Sequence, residues 1–193
     1  MTSGAILTGG RARRLGGRDK SRLLVEGRTI LTRQVDALRP CVDRIFAVGG
    51  SSPPDDARVQ VIADRLVGRG PLGGLDAALA AAGEDAVLLL ACDLPHVTTA
   101  LLAHLISLCT SVDAVVPRTE RGYHPLCAVY AQSCRDAVRR RLEDGALRMR
   151  DVLADLHVRT VESDELARIG VPDLLLANIN TVADLDALGS LKH

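Results

Sequence analysis

A short apolar run, Ala5-Ile6-Leu7, gives way at Thr8 to Gly9-Gly10-Arg11-Ala12-Arg13-Arg14-Leu15-Gly16-Gly17-Arg18-Asp19-Lys20. The run reads as a buried strand, and the residues after it are too rich in glycine and arginine to continue it, so the chain turns out at the strand's C-terminal end. Open α/β sheets bind their ligands at that end. Between Gly9 and Arg22 stand Arg11, Arg13, Arg14, Arg18, Lys20 and Arg22 against the single anion Asp19, a local excess of +5 in a chain whose formal total is +0. Glycine lets backbone N–H groups approach phosphate oxygens without a Cβ in the way, while arginine adds bidentate forks and lysine a compact charge. A solvated basic turn would share the charge but not the strand and glycines. Gly17 and Lys20 are too far apart for a Walker loop, and G-x-G-x-x-G is absent from this loop. Lys20 is one of two lysines, the other 22 basic residues being arginine. A lysine here suits a role that arginine's wide fork does not fill.

With 193 residues the chain is read as a single domain over 1–193, long enough to bury roughly 70% of the surface its unfolded form exposes. Five cysteines, Cys41, Cys92, Cys109, Cys127 and Cys134, form no C-x-x-C pair, which suggests a reducing cytoplasm and speaks against zinc. Neither a signal peptide nor a membrane span is expected. Balanced charge and 2% aromatic residues argue against nucleic acid as the main partner. A local positive patch suits a small phosphorylated ligand.

Strand and helix patterns then alternate. Thr29 is placed to cap a helix with Ile30, Leu31, Val35 and Leu38 inward. Strands are expected at Arg44–Val48, ending in Gly49-Gly50, and at Val59–Ile62, stopping near Asp64. Gly68-Arg69-Gly70-Pro71-Leu72-Gly73-Gly74 leads into an alanine-rich helix ending near Gly83. Glycines 73 and 74 make poor helix interior. They suit either a flat ligand lying on the backbone or a helix start packed tightly on the sheet. Ala86–Ala91 is the strongest strand candidate, apolar throughout as in a strand buried on both faces. Asp93 follows at its C-terminal tip, ahead of Pro95, well placed for a hard cation; Mg²⁺ needs only one or two protein carboxylates. Capping of the next helix would fall to Thr98 rather than Asp93. Helices are further expected at about 98–109, 133–143 and 147–156, and strands at 114–116, up to Tyr130, and at 157–161. The 133–143 helix carries Arg135, Arg139, Arg140 and Arg141, a solvated face or a second anion surface. The sequence pairs His96, His104 and His157 with no motif, and they read as surface or boundary residues. Asn178 and Asn180 alternate as on a strand, and Thr181 with Asp184 suits a final helix N-terminus.

Leu7-Thr8-Gly9-Gly10, Arg13-Arg14-Leu15-Gly16-Gly17 and Asp19-Lys20 together resemble the signature loop of the molybdenum cofactor guanylyltransferases, within the nucleotidyltransferases of Rossmann-like α/β fold. Thr8 stands where alanine is usual. The resemblance implies a mostly parallel central sheet with helices on both faces. Gly9-Gly10 favours the guanylyl branch over relatives that transfer CMP. The segment Gly70-Pro71-Leu72-Gly73-Gly74 resembles the family's guanine pocket, Asp64 its Ile-x-Asp nucleotide contact, His124-Pro125 its substrate-side loop, and Asn178-Ile179-Asn180-Thr181 with Asp184 its closing motif, with Val182 for proline. The family commonly has an asparagine near the end of the second strand, where this chain has Val48-Gly49-Gly50.

The resemblance implies transfer of GMP from GTP to the terminal phosphate of molybdopterin, with pyrophosphate released. Leu7, Thr8, Gly9, Gly10, Arg13, Lys20, Asp64, Gly70, Pro71, Leu72, Gly73 and Asp93 would bind nucleotide. Asp93 would hold Mg²⁺, with Lys20 and Arg14 stabilising the transition state. His124, Pro125, Asn178 and Asn180 would face the pterin. A phosphate nucleophile is already an anion, so His124 is not required as a base. Transient contacts with molybdenum-insertion proteins and molybdoenzymes are also implied. Another base or acceptor, such as cytosine or 2-phospholactate, or a non-turnover GTP-binding module, are the alternatives.

Overall fold

The computed structural model describes residues 1–9, 23–50, 56–64, 66 and 68–179. The apolar run at the N-terminus forms strand β1, Thr2–Leu7, with five of its six residues buried. After it come the hairpin β2, Leu24–Val25, and β3, Arg28–Thr29, then helix α1, Ile30–Leu38, capped by Thr29, whose hydroxyl accepts from the Thr32 amide at 3.1 Å. Strands β4, Arg44–Val48, and β5, Val59–Ile62, come next. Helix α2, Gly70–Ala82, ends at Gly83 with φ 72°, a conformation that glycine takes without strain.

Strand β6 is Ala86–Ala91 and helix α3 Thr99–Ser107, capped by the Thr98 side chain. Strand β7, Ala114–Thr119, turns through β8, Gly122–Tyr123, and leads to β9, Cys127–Tyr130. Helix α4, Arg135–Glu143, and the short α5, Met149–Val152, precede β10, Val158–Val161. Two single-turn helices, α6, Ser163–Leu166, and α7, Pro172–Leu175, complete the described elements.

The main sheet runs β10-β7-β9-β6-β1-β4-β5, with β8 paired to β7. The pairs β1–β4, β1–β6, β4–β5 and β7–β10 are parallel, while β9 lies antiparallel between β6 and β7. This is the expected α/β architecture with a mostly parallel sheet. From β1 the chain winds outward to β4 and β5, then crosses back to lay β6 on the other flank of β1. The order reverses there, and such a switch point opens a crevice at the strand ends.

Alternation along the strands feeds two cores. Ala5, Leu7, Phe46, Val48, Val87 and Leu89 face Leu72, Leu75 and Leu79 of α2 and Val138 and Leu142 of α4. Ile6, Ile45, Ala47, Leu88 and Leu90 face Val35 and Leu38 of α1 and Leu101, Leu102 and Leu105 of α3. A third cluster joins Val25 and Ile30 to Ala177 and Ile179. Among the described residues no helix is long and apolar enough to cross a membrane.

The structure corrects several expectations. Gly73 and Gly74 lie within α2; a Cβ on Gly74 would stand 2.6 Å from Cδ2 of Leu7, so the tight-packing reading applies there. The helix expected over 147–156 shrinks to α5 and a 3-10 turn at Leu153–Asp155. Asn178 lies in no strand. His104 does have a partner, Glu165 at 2.8 Å. In the basic helix, Arg139 reaches Asp76 at 3.4 Å and Arg141 reaches Asp155 at 2.6 Å, which commits both to neighbours within the fold.

Tyr130 is fully buried, and its hydroxyl donates to the Pro125 carbonyl at 2.8 Å. The bond ties the loop before β9 to the strand itself. Tyr130→Phe is expected to lower the unfolding free energy by about 1–2 kcal/mol, measured by urea denaturation, with the far-UV spectrum unchanged.

Candidate active site

Register places the site. Leu7 pairs with Val48 and with Ala91, and Val48 pairs with Ile62. Four parallel strands therefore end level, so Thr8-Gly9, Gly49, Asp64 and Cys92-Asp93 emerge together at one edge of the sheet. Of the expected nucleotide-side residues, Gly10, Arg13, Arg14 and Lys20 lie outside the described residues, as does Asn180.

The exit from β1 is held by one carbonyl. The oxygen of Val48 accepts from the amides of Thr8 and Gly9, each at 3.0 Å, and from the Thr8 hydroxyl at 3.2 Å. Thr8 thus contributes a bond that alanine would lack. Gly49 has φ 74°, in the region that favours glycine. A Cβ on Gly9 would lie 2.9 Å from the Gly49 oxygen. The two backbones cross too closely for any side chain, so packing alone demands Gly9.

Asp64 is half-buried, and its Oδ1 accepts from the Leu66 amide at 3.1 Å, closing the turn after β5. It lies beside both Gly49 and Gly73: Cβ atoms built there would stand 3.5 Å from its Cβ and 3.3 Å from its Oδ1. Gly68-Arg69-Gly70-Pro71-Leu72-Gly73 spells G-x-G-x-x-G at the start of α2, a spacing sequence reasoning overlooked. Gly68 and Gly70 both take positive φ, and no side chain caps the helix start.

Asp93 is half-buried in the turn after β6, and its carbonyl accepts from the Ile179 amide at 2.8 Å. Among the described residues no group of three or more His, Cys, Asp or Glu side chains could hold a metal ion. A lone strand-end carboxylate fits a hard cation that draws its other oxygens from phosphates and water, as Mg²⁺ does.

Next to this turn opens a cavity of about 850 Å³. Pro71, Leu94, His124, Pro125 and Asn178 border it. Arg121, Arg148 and Arg150 also line it, with Asp151 the acidic member. Sequence reasoning sought a second anion surface on 133–143 and missed these arginines. They converge from the β7–β8 turn and from α5, and no local pattern signals that meeting. Cys127 lines the cavity too, but burial pushes its thiol up to about 12, which leaves it unreactive near neutral pH.

The His124 Nε2 lies 2.8 Å from the Thr119 hydroxyl, and its amide donates to the Pro117 carbonyl. Burial, followed by Arg121 and Arg150, holds its pKa below the ordinary 6.5. The imidazole is thus biased toward the neutral form.

A family model described as "MobA-like NTP transferase domain" matches residues 4–161. The chain belongs to the MobA-like NTP transferase family. The molybdenum cofactor guanylyltransferase of Desulfosudis oleivorans is 34% identical over 187 residues, spanning 95% of this chain and 92% of that one. A probable molybdenum cofactor guanylyltransferase of Pelotomaculum thermopropionicum is 30% identical, spanning 96% and 90%. The crystal structure of molybdopterin-guanine dinucleotide biosynthesis protein A from Archaeoglobus fulgidus superposes with a TM-score of 0.81 at 25% identity, covering 99% of this chain and 98% of that one. The 2-C-methyl-D-erythritol 4-phosphate cytidylyltransferase of Thermus thermophilus shares the fold, with a TM-score of 0.72 at 20% identity over 98% of this MobA-like chain and 97% of its own.

Gly9→Ala forces the ends of β1 and β4 apart and is expected to cost about 1–3 kcal/mol in urea denaturation. His124 titrates lower in the folded chain than in the unfolded one, so the unfolded state takes up a proton first as pH falls. Stability is unaffected well above 6.5 and declines as pH drops through that value toward the folded pKa. Urea midpoints measured at about pH 7.5 and about pH 5.5 are expected to differ less in His124→Gln than in the parent.

Proposed function

We propose that this MobA-like NTP transferase transfers GMP from GTP to the terminal phosphate of molybdopterin and releases pyrophosphate. One observation carries the reading: a single cavity is lined both by Pro71, which the resemblance assigns to the nucleotide, and by His124, Pro125 and Asn178, which it assigns to the pterin. The two reacting phosphates can therefore meet beside Asp93. The names of the relatives support the same activity, and the cysteines suit the cytoplasm.

In this reading the guanine lies against Thr8, Gly9, Gly70 and Pro71, near Asp64, while Leu7 and Leu72 pack in the core beneath them. Where the resembled family commonly has an asparagine near the end of the second strand, this chain has Val48-Gly49-Gly50, and backbone groups take over that contact in this reading. The triphosphate lies along Gly10, Arg13, Arg14 and Lys20, where arginine forks and the lysine point charge neutralise the leaving pyrophosphate. Asp93 would hold Mg²⁺, which neutralises charge on phosphate oxygens when bound. Arg121, Arg148 and Arg150 orient the acceptor's phosphate, alongside His124, Pro125, Asn178 and Asn180. The acceptor oxygen attacks the α-phosphorus in line, the α–β bridging oxygen leaves with pyrophosphate, and no proton has to be removed from the nucleophile. Catalysis here is positioning and charge neutralisation.

Purified protein with Mg²⁺ and each of GTP, CTP, ATP and UTP, with and without molybdopterin, is expected to release pyrophosphate only with GTP and pterin together. The product mass would match the guanine dinucleotide. Asp93→Ala is expected to lose roughly 100-fold or more in turnover. Arg148→Ala or Arg150→Ala is expected to raise KM for the pterin about tenfold while leaving that for GTP unchanged. Turnover with CTP, or none with any nucleotide, would overturn the reading.

A further inference from the structure

Helix α1 presents an apolar stripe to the sheet, and one polar residue sits in it. Gln34 is completely buried. Its Nε2 donates to the Ala91 carbonyl at 2.7 Å and to the Leu94 carbonyl at 3.0 Å. Those carbonyls bracket Cys92-Asp93. The amide cannot be turned over, because its oxygen would then face two acceptors. Its Oε1 is buried with no hydrogen-bond partner among the described residues. Such an orphan acceptor is unfavourable for the fold by itself. The neighbouring Arg33 extends the grip through Nε to the Pro95 carbonyl at 3.0 Å, and Ile179 holds the Asp93 carbonyl. The Ala91–Pro95 turn belongs to no helix or strand beyond Ala91, so these contacts substitute for a ladder in fixing it.

We propose that Gln34 is a positioning residue for the Asp93 carboxylate: its amide clamps the turn from both sides and so fixes where a divalent cation is held. The inference rests on the reading of Asp93 as the metal ligand. A group that orients a metal-ligating carboxylate commonly changes metal affinity by about 10- to 100-fold when removed. A residue that merely fills the core changes stability alone.

The test measures Mn²⁺ binding by the loss of its free-ion EPR signal, in the presence of a GTP analogue whose α–β bridge cannot be cleaved. Four variants are compared with the parent: Gln34→Met, Gln34→His, Asp93→Ala and Val138→Ala, the last a buried residue of α4 on the opposite face of the sheet. Gln34→Met is expected to weaken Mn²⁺ binding by about tenfold or more. Gln34→His, which keeps a ring N–H, is expected to fall between it and the parent. Val138→Ala is expected to lower the melting temperature without moving the Mn²⁺ affinity. If Gln34→Met melts lower but binds Mn²⁺ like the parent, or, should it not fold, if Gln34→His does so, Gln34 is only structural and the proposal fails. If Asp93→Ala binds Mn²⁺ like the parent, the assignment of the ligand itself fails.

Discussion

The level ending of four parallel strands is the constraint on which the rest depends. Parallel pairing fixes the register of β5, β4, β1 and β6 so that Ile62, Val48, Leu7 and Ala91 lie in one row. Side chains within that row are buried or half-buried, and the residues just beyond it reach solvent, so polar chemistry is delivered to a single edge. A one-residue slip of β6 would exchange its two faces, exposing Leu88 and Leu90 to the wrong core. The hydrophobic cores on both faces therefore guard the alignment of the site as much as they stabilise the fold.

Much of this was legible in the sequence, for physical reasons that can be named. Continuous apolar runs at Ala5–Leu7 and Ala86–Ala91 signal strands buried on both faces, and threonine before an apolar stripe signals a cap, as Thr29 and Thr98 bear out. The position of Asp93 at the tip of β6 was legible because strand, carboxylate and proline turn are adjacent in the chain. The basic wall was not. Arg121, Arg148 and Arg150 meet only because the β7–β8 hairpin and α5 fold onto the same cavity. Nor was Gln34, which reads as an ordinary polar residue on a helix until the carbonyls opposite it are known.

The glycines divide along the same line. The cost of Gly73 and Gly74 in a helix signals a close approach but not what approaches. At Gly74 the neighbour is Leu7, and at Gly73 it is first Arg69, then Asp64 and the backbone of Leu66. Gly9 and Gly49 show two different needs: Gly9 is required because the Gly49 backbone lies 2.9 Å from where its Cβ would stand, and Gly49 because its φ of 74° favours glycine. A resemblance that assigns Gly9 to nucleotide choice and a structure that assigns it to a backbone crossing describe the same atoms, since a surface with no side chain is also one that a flat base can lie against.

Ile179 joins two otherwise separate parts of the molecule. Its side chain packs with Val25 and Ile30, and its amide holds the carbonyl of Asp93. The acidic turn, formed in the middle of the chain, is thus finished by a residue far downstream of it. Every strand of the described sheet and the helices on both its faces lie before Asn178 in the chain, whereas Asn178 itself borders the cavity and Ile179 tethers the turn. Among the described residues, the segment that finishes the site is thus a different stretch of chain from those that build the sheet.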